Sequence, residues 1–169
     1  MNPETLPTIS RTDLDAVIDK PLEFIFLFVE KYYHLISSDP SGQIQQQFTL
    51  DQNILMAFSA FDDQVSNGGF IQLIENGYGT YIFDSPLSEY LNEWGAIETA
   101  RIIDEARVIY HHKKEILERE KTLEEFAKLY QEHKDFEVLE DQYDKIITAE
   151  RAIIKDHIKQ NINRFAIIS

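Results

Sequence analysis

Four carboxylates in the C-terminal third, Glu137, Glu140, Asp141 and Asp144, follow the i, i+3, i+4, i+7 pattern that puts side chains on one stripe of an α-helix. Carboxylates grouped in this way can do two kinds of chemistry. A pair whose surroundings push one pKa upward can act as general acid and base. A row left in water presents fixed negative charge to a basic partner. A third reading needs no function, because acids in the first turn of a helix stabilise it by about 0.3 to 1 kcal/mol each. Asp13, Asp15, Asp19 and Glu23 make a second acidic group with little compensating charge, and Asp62 with Asp63 a smaller third. The stretch 113–128 differs, since its acids interleave with Lys113, Lys114, Arg119, Lys121 and Lys128. Glu115 with Arg119 and Glu124 with Lys128 are spaced i, i+4, the pattern of a solvated helix face.

Other chemistries lack their residues. The 169 residues include no cysteine, which excludes disulfides, thiolate zinc sites and thiol nucleophiles. The five histidines, His34, His111, His112, His133 and His157, fall in no H-E-x-x-H or comparable ligand spacing, and no nucleophile elbow is present. No catalytic, cofactor-binding or metal-ligating residue is therefore assigned, and the expectation is a protein that is not an enzyme and needs no cofactor. Thirty acidic against 16 basic residues give a net charge of −14, which repels nucleic acid and anionic lipid and attracts basic proteins; the bland counterpart is a charge that only keeps the protein in solution. The start, MNPETLPTISRTD, has neither the basic beginning nor the apolar core of a signal peptide, and no apolar run reaches the ~20 residues of a membrane span. A cytoplasmic protein without direct nucleic-acid or membrane partners is expected.

The elements that must position these carboxylates read as helices. An apolar fraction of 43% and an aromatic fraction of 12% supply a core, while Gly and Pro fall where elements should break. The fold class expected is all-α, a single compact domain of amphipathic helices over 1–169, with 1–48 as a helical extension packed on a core of 49–169. A short helix over 12–20 takes Thr12 as its N-cap, and Pro21 opens a second. The run 24–29 is apolar enough for a buried strand, but its continuation through 30–35 is too long for one and predicts a buried helix. After a turn at 37–42, Ile54, Leu55, Phe58, Phe61 and Val65 mark a helix over 50–65. Ser85 and Pro86 begin a short helix that Gly95 ends, and the longest helix runs over 96–120 with Ile102, Ala106 and Ile109 on one stripe and Ile103, Tyr110 and Leu117 beside it. Thr122 and Glu125 form a capping box for a helix to about 132, and a last helix carries Ile147, Ile154, Ile158, Ile162 and Phe165.

The least ordinary text is Asn67-Gly68-Gly69-Phe70-Ile71-Gln72, followed by Asn76-Gly77. It reads as a helix that stops and restarts. Asn67 and Gly68 are suited to the left-handed conformation that closes a helix, Gly69 to a tight turn, and Phe70 to anchoring the next helix in the core. Gln72 and Asn76, four apart, face the same way. A phosphate-cradling loop is excluded, since no Lys-Ser/Thr follows and no strand precedes.

This N-G-G-F-x-Q-x-x-x-N pattern resembles the signature of a bacterial DNA-mimic protein family, built on a domain of unknown function. Trp94-Gly95-Ala96 is similar to the family's start of a long helix, and Phe136 with Leu139-Glu140-Asp141-Gln142-Tyr143 to its C-terminal region. The likeness spans roughly 50–165; it departs at Leu73 and Ile74, where relatives often carry aromatics, and the first 48 residues match no motif. The resemblance implies an all-helical fold and, for at least one branch, an acidic decoy that occupies the nucleic-acid-binding surface of a basic, DNA-binding protein. On that reading the three acidic groups are the interaction surface, with Tyr78, Tyr81 and Tyr90 adding contact, and Asn67, Gly68, Gly69, Phe70, Gln72, Asn76 and Gly77 identify the fold. An immunity-type inhibitor of a toxin, a helical scaffold or homodimer, and an enzyme with an unfamiliar carboxylate site stand as alternatives.

Overall fold

The computed structural model describes residues 6–119, 122, 124, 125, 128 and 134–169. The chain is all-α: α1 (Arg11–Val17), α2 (Pro21–Ser38), α3 (Leu50–Glu75), α4 (Gly79–Phe83), α5 (Leu87–Glu93), α6 (Ile97–Leu117) and α7 (Asp135–Gln160), with 3-10 turns at Ile44–Gln47 and Ile162–Arg164. The only pairing of strands among the described residues is a two-residue parallel match of β1 (Thr8–Ile9) with β2 (Ile167–Ile168), which no hydrophobic run announces. Contacts divide the chain into two compact units, 6–59 with Arg151–Ser169, and 60–150.

In the first unit the cap of α1 is Ser10 rather than Thr12: its hydroxyl accepts the Asp13 N–H at 3.0 Å. Pro21 opens α2 as expected, at a position where the missing N–H loses nothing. The helix is amphipathic, not buried all round. Phe24, Ile25, Phe28, Val29 and Tyr32 face the core, whereas Phe26 is 57% exposed. Phe28 meets Phe165 edge-on at 6.5 Å, Tyr32 meets Phe48 at 5.6 Å, and the Tyr32 hydroxyl donates to the Phe165 carbonyl at 2.9 Å. Burial, with a smaller contribution from Asp51, raises the Tyr32 phenol pKa. Arg164 closes on the buried Asp51 carboxylate at 2.6 Å. The His157 imidazole nearby is held below its ordinary pKa, by burial first, with Asp51 opposing and Arg164 assisting.

The second unit is organised by aromatic rings. Phe61 contacts Phe70 and Tyr143 at 5.9 and 5.1 Å; Phe70 stacks on Phe83 and Phe136 at 6.3 and 5.2 Å; Phe83 meets Tyr110 at 4.7 Å. Edge-on and offset pairs of this kind add to the gain from burying the rings. Phe70 is the hub. Two helices end in the same way: at α3 the Tyr78 and Gly77 N–H groups donate to the Leu73 and Ile74 carbonyls, and at α5 the Ala96 and Gly95 N–H groups donate to those of Leu91 and Asn92. Gly77 and Gly95 take φ of 83° and 95°, the left-handed residue that this closure requires. The Glu150 carboxylate accepts the Thr99 N–H at 2.9 Å, capping the start of α6. The Thr122–Glu125 capping box forms, with each N–H on the other's side chain at 2.9 and 3.3 Å, although the end of the helix expected there lies outside the described residues. Glu124 pairs with Lys128 as the spacing predicts, while Arg119 reaches Glu125.

Candidate protein-interaction face

The signature segment is a kink in α3. Gly69 alone is non-helical, at φ 76° and ψ −175°, and Asn67 and Gly68, expected to take the left-handed conformation, do not. The reason is economy of backbone: one residue in a region open in practice only to glycine redirects the helix, so no second is needed. Helix resumes at Phe70, whose N–H has lost its intrahelical acceptor. Glu140, 70 residues further on in α7, supplies one: its Oε1 accepts the Phe70 N–H at 2.7 Å. A Cβ at Gly69 would run into that same carboxylate. Both parts of the family-like text thus meet at one point, with Phe136 stacked on Phe70 one turn before Glu140.

Glutamine and asparagine finish the joint. Gln64 Oε1 accepts from Asn76 Nδ2 at 2.6 Å and more weakly from Gln72 Nε2 at 3.5 Å, so the two amides do face the same way and share one acceptor across the kink. The Gln72 carboxamide also covers Gly68, where a side chain would displace it.

Of the expected acidic surface, Asp62 is a correction. It is 3% exposed, and its Oδ1 accepts the Tyr143 hydroxyl at 2.9 Å and the Ser66 hydroxyl at 3.2 Å. A helical position next to Phe61 turns it inward, where a tyrosine satisfies it. Asp63 remains exposed, though its carboxylate accepts from Asn67 and Gln64. Asp13, Asp15, Asp19 and Glu23 are exposed in the first unit, with Asp13 also accepting from Ser10.

Glu137, Asp141 and Asp144 are exposed along α7 and, among the described residues, form no ion pair. Glu140, in the middle of the stripe, is half-buried and committed to the kink, so it serves the fold rather than the free surface. Its carboxyl pKa is raised, by burial first; the Phe70 N–H opposes the shift, and the charges of Glu137, Asp144 and Asp141 add to it. The four carboxylates share one stripe of α7 by their i, i+3, i+4, i+7 spacing. Tyr81 is exposed at 42% and pairs with Tyr78 at 6.3 Å, while Tyr78 and Tyr90 are half-buried. Sequence reasoning missed Gln64 and the capping role of Glu140, because both act across the kink and only an i, i+3 or i, i+4 partner can be read from spacing.

A helical chain whose glycine kink is capped by a glutamate from its last helix defines a class, and the comparisons with known proteins give it a family. The family model described as DMP19-like protein matches residues 46–161, and the chain belongs to that family. A relative from Neisseria meningitidis serogroup B (strain ATCC BAA-335 / MC58), "DNA mimic protein DMP19", is 34% identical over 119 residues, covering 70% of this chain and 72% of the relative.

Proposed function

We propose that this protein is a non-catalytic DNA mimic whose α7 carboxylates occupy the DNA-binding surface of a basic protein. The observation that carries the reading is the exposed row of Glu137, Asp141 and Asp144, which form no ion pair among the described residues, in a chain of the DMP19-like family. Side chains at i, i+3 and i+4 on a helix stand about 5 to 6 Å apart at Cβ, a spacing suited to a basic surface built for a regular line of phosphates. The Gly69–Glu140 joint holds α7 against the kinked α3, so the charges keep their spacing without a partner, and little ordering remains to be done on binding. The net charge of −14 would steer basic proteins toward the chain through a field that salt screens.

The test is affinity capture at low salt with the wild type and with the triple variant E137Q/D141N/D144N as bait, eluted by a salt gradient. Basic DNA-binding proteins should be retained by the wild type, displaced by added duplex DNA, and retained at least about tenfold less by the variant. Equal retention by both baits would remove the α7 face from the account. Glu140 is left out of the variant because it caps the kink.

A further inference from the structure

We propose that the outer face of α2 is a second docking surface, one that takes a basic amphipathic helix from a partner protein. Helix α2 already has a core-facing side in Phe24, Ile25, Phe28, Val29 and Tyr32. Leu22, Phe26 and Tyr33 lie on another stripe, since residues four and eleven apart nearly align at 100° per residue, and they are 46%, 57% and 51% exposed. Three large side chains exposed on one outer stripe are more than the single scattered apolar residues of an ordinary surface, and such grouping on a monomer is often a binding site. Neither α1 nor α2 lies in the family-matched part of the chain, which begins at residue 46.

Charge selects the occupant. Glu23 and Glu30, seven apart and both exposed, run beside the apolar stripe, with Asp19 just before the helix. Of the cations of this segment, Lys31 projects to the opposite side of the helix by the same angular count, Lys20 precedes its first turn, and His34 lies beside Glu30. An apolar row with an acidic margin matches a helix that carries apolar residues at i, i+4 and lysine or arginine alongside. A second copy of α2 would set acidic margin against acidic margin, and an anionic membrane would be repelled by the same carboxylates.

The face is independent of α7, and the test keeps the two apart. An 18-residue Leu/Lys amphipathic helical peptide, equal in length to α2, is titrated into the full chain by calorimetry at low and high salt. Micromolar binding is expected, weakened about tenfold by L22S/F26S and several-fold, with a flatter salt dependence, by E23Q/E30Q. Because the substituted side chains are exposed, the variants should melt with the wild type. E137Q/D141N/D144N should bind the peptide as the wild type does. The proposal is overturned by binding that ignores L22S/F26S or that falls equally with the α7 variant, which would be general attraction to acid. It is also overturned by a dimer in sedimentation that L22S/F26S dissolves, which would make a second copy the occupant, or by capture on anionic vesicles that the same variant abolishes.

Discussion

Gly69 sits at φ 76° and ψ −175° with the Glu140 carboxylate where a side chain would begin. Gly69→Ala therefore meets backbone strain and a displaced cap together, and should cost about 3 kcal/mol in urea unfolding. Gly42, at φ 67° with open space around it, is the contrast, and Gly42→Ala should cost nearer 1 kcal/mol. Equal losses would mean that the close approach of Glu140 contributes nothing. Glu140 gives a pH signature. Its raised pKa means the folded chain still holds a proton that the unfolded chain has released, so stability falls as pH rises from the ordinary value of 4.5 to the raised folded value. Gln at 140 keeps an oxygen for the Phe70 N–H and has no proton to lose, so E140Q should remove that slope, whereas E140A should cost about 1 to 2 kcal/mol at neutral pH. Persistence of the slope in E140Q would assign it to another group. At this scale the sequence was half legible: two adjacent glycines before a phenylalanine announce a helix break, and Gly68 or Gly69 as its pivot is decided only by what packs there. The inward turn of Asp62 was hidden likewise, because its partner Tyr143 lies 81 residues away.

Among the elements, α2 illustrates how length decides where hydrophobicity does not. Six apolar residues in a row suit a strand or a helix, and the 18-residue extent opened by Pro21 settles the matter. Its polar anchor is Tyr32, whose hydroxyl satisfies the Phe165 carbonyl. Tyr32→Phe should cost about 1 to 2 kcal/mol by leaving that buried carbonyl without its donor, and a melting point equal to wild type would show the bond to be dispensable. Arg164→Ala, which leaves the Asp51 carboxylate buried without its cation, should cost about 2 kcal/mol, less than a fully buried pair because Arg164 is 44% exposed. Of the helices with strong periodicity, α3 before its kink and α6 were legible within a few residues, but α6, at 21 residues, is shorter than α3 and α7, at 26 each. Helix α7 ends at Gln160, so Ile162 and Phe165, expected within it, fall in and just after the following 3-10 turn. The five-residue α4 and the β1–β2 match were not, because neither is long enough to show a period.

For the whole molecule, 30 acids against 16 bases mark an acidic protein, but a total says nothing of placement. Placement separates carboxylates that serve the fold, Asp51, Asp62, Glu140 and Glu150, from those exposed on α7 and on the α1–α2 segment. Only the second kind can stand in for phosphates, and screening should act on them alone: binding to a basic partner should weaken steeply between low and physiological salt, while folding stability changes little. The central claim is occupancy of a DNA-binding surface, and the most direct measurement is a mobility shift with a captured DNA-binding protein, its duplex DNA and increasing amounts of this chain. The account predicts that free DNA is released as the chain is added and that E137Q/D141N/D144N releases little. A slower-moving ternary complex, with DNA still bound, would contradict it.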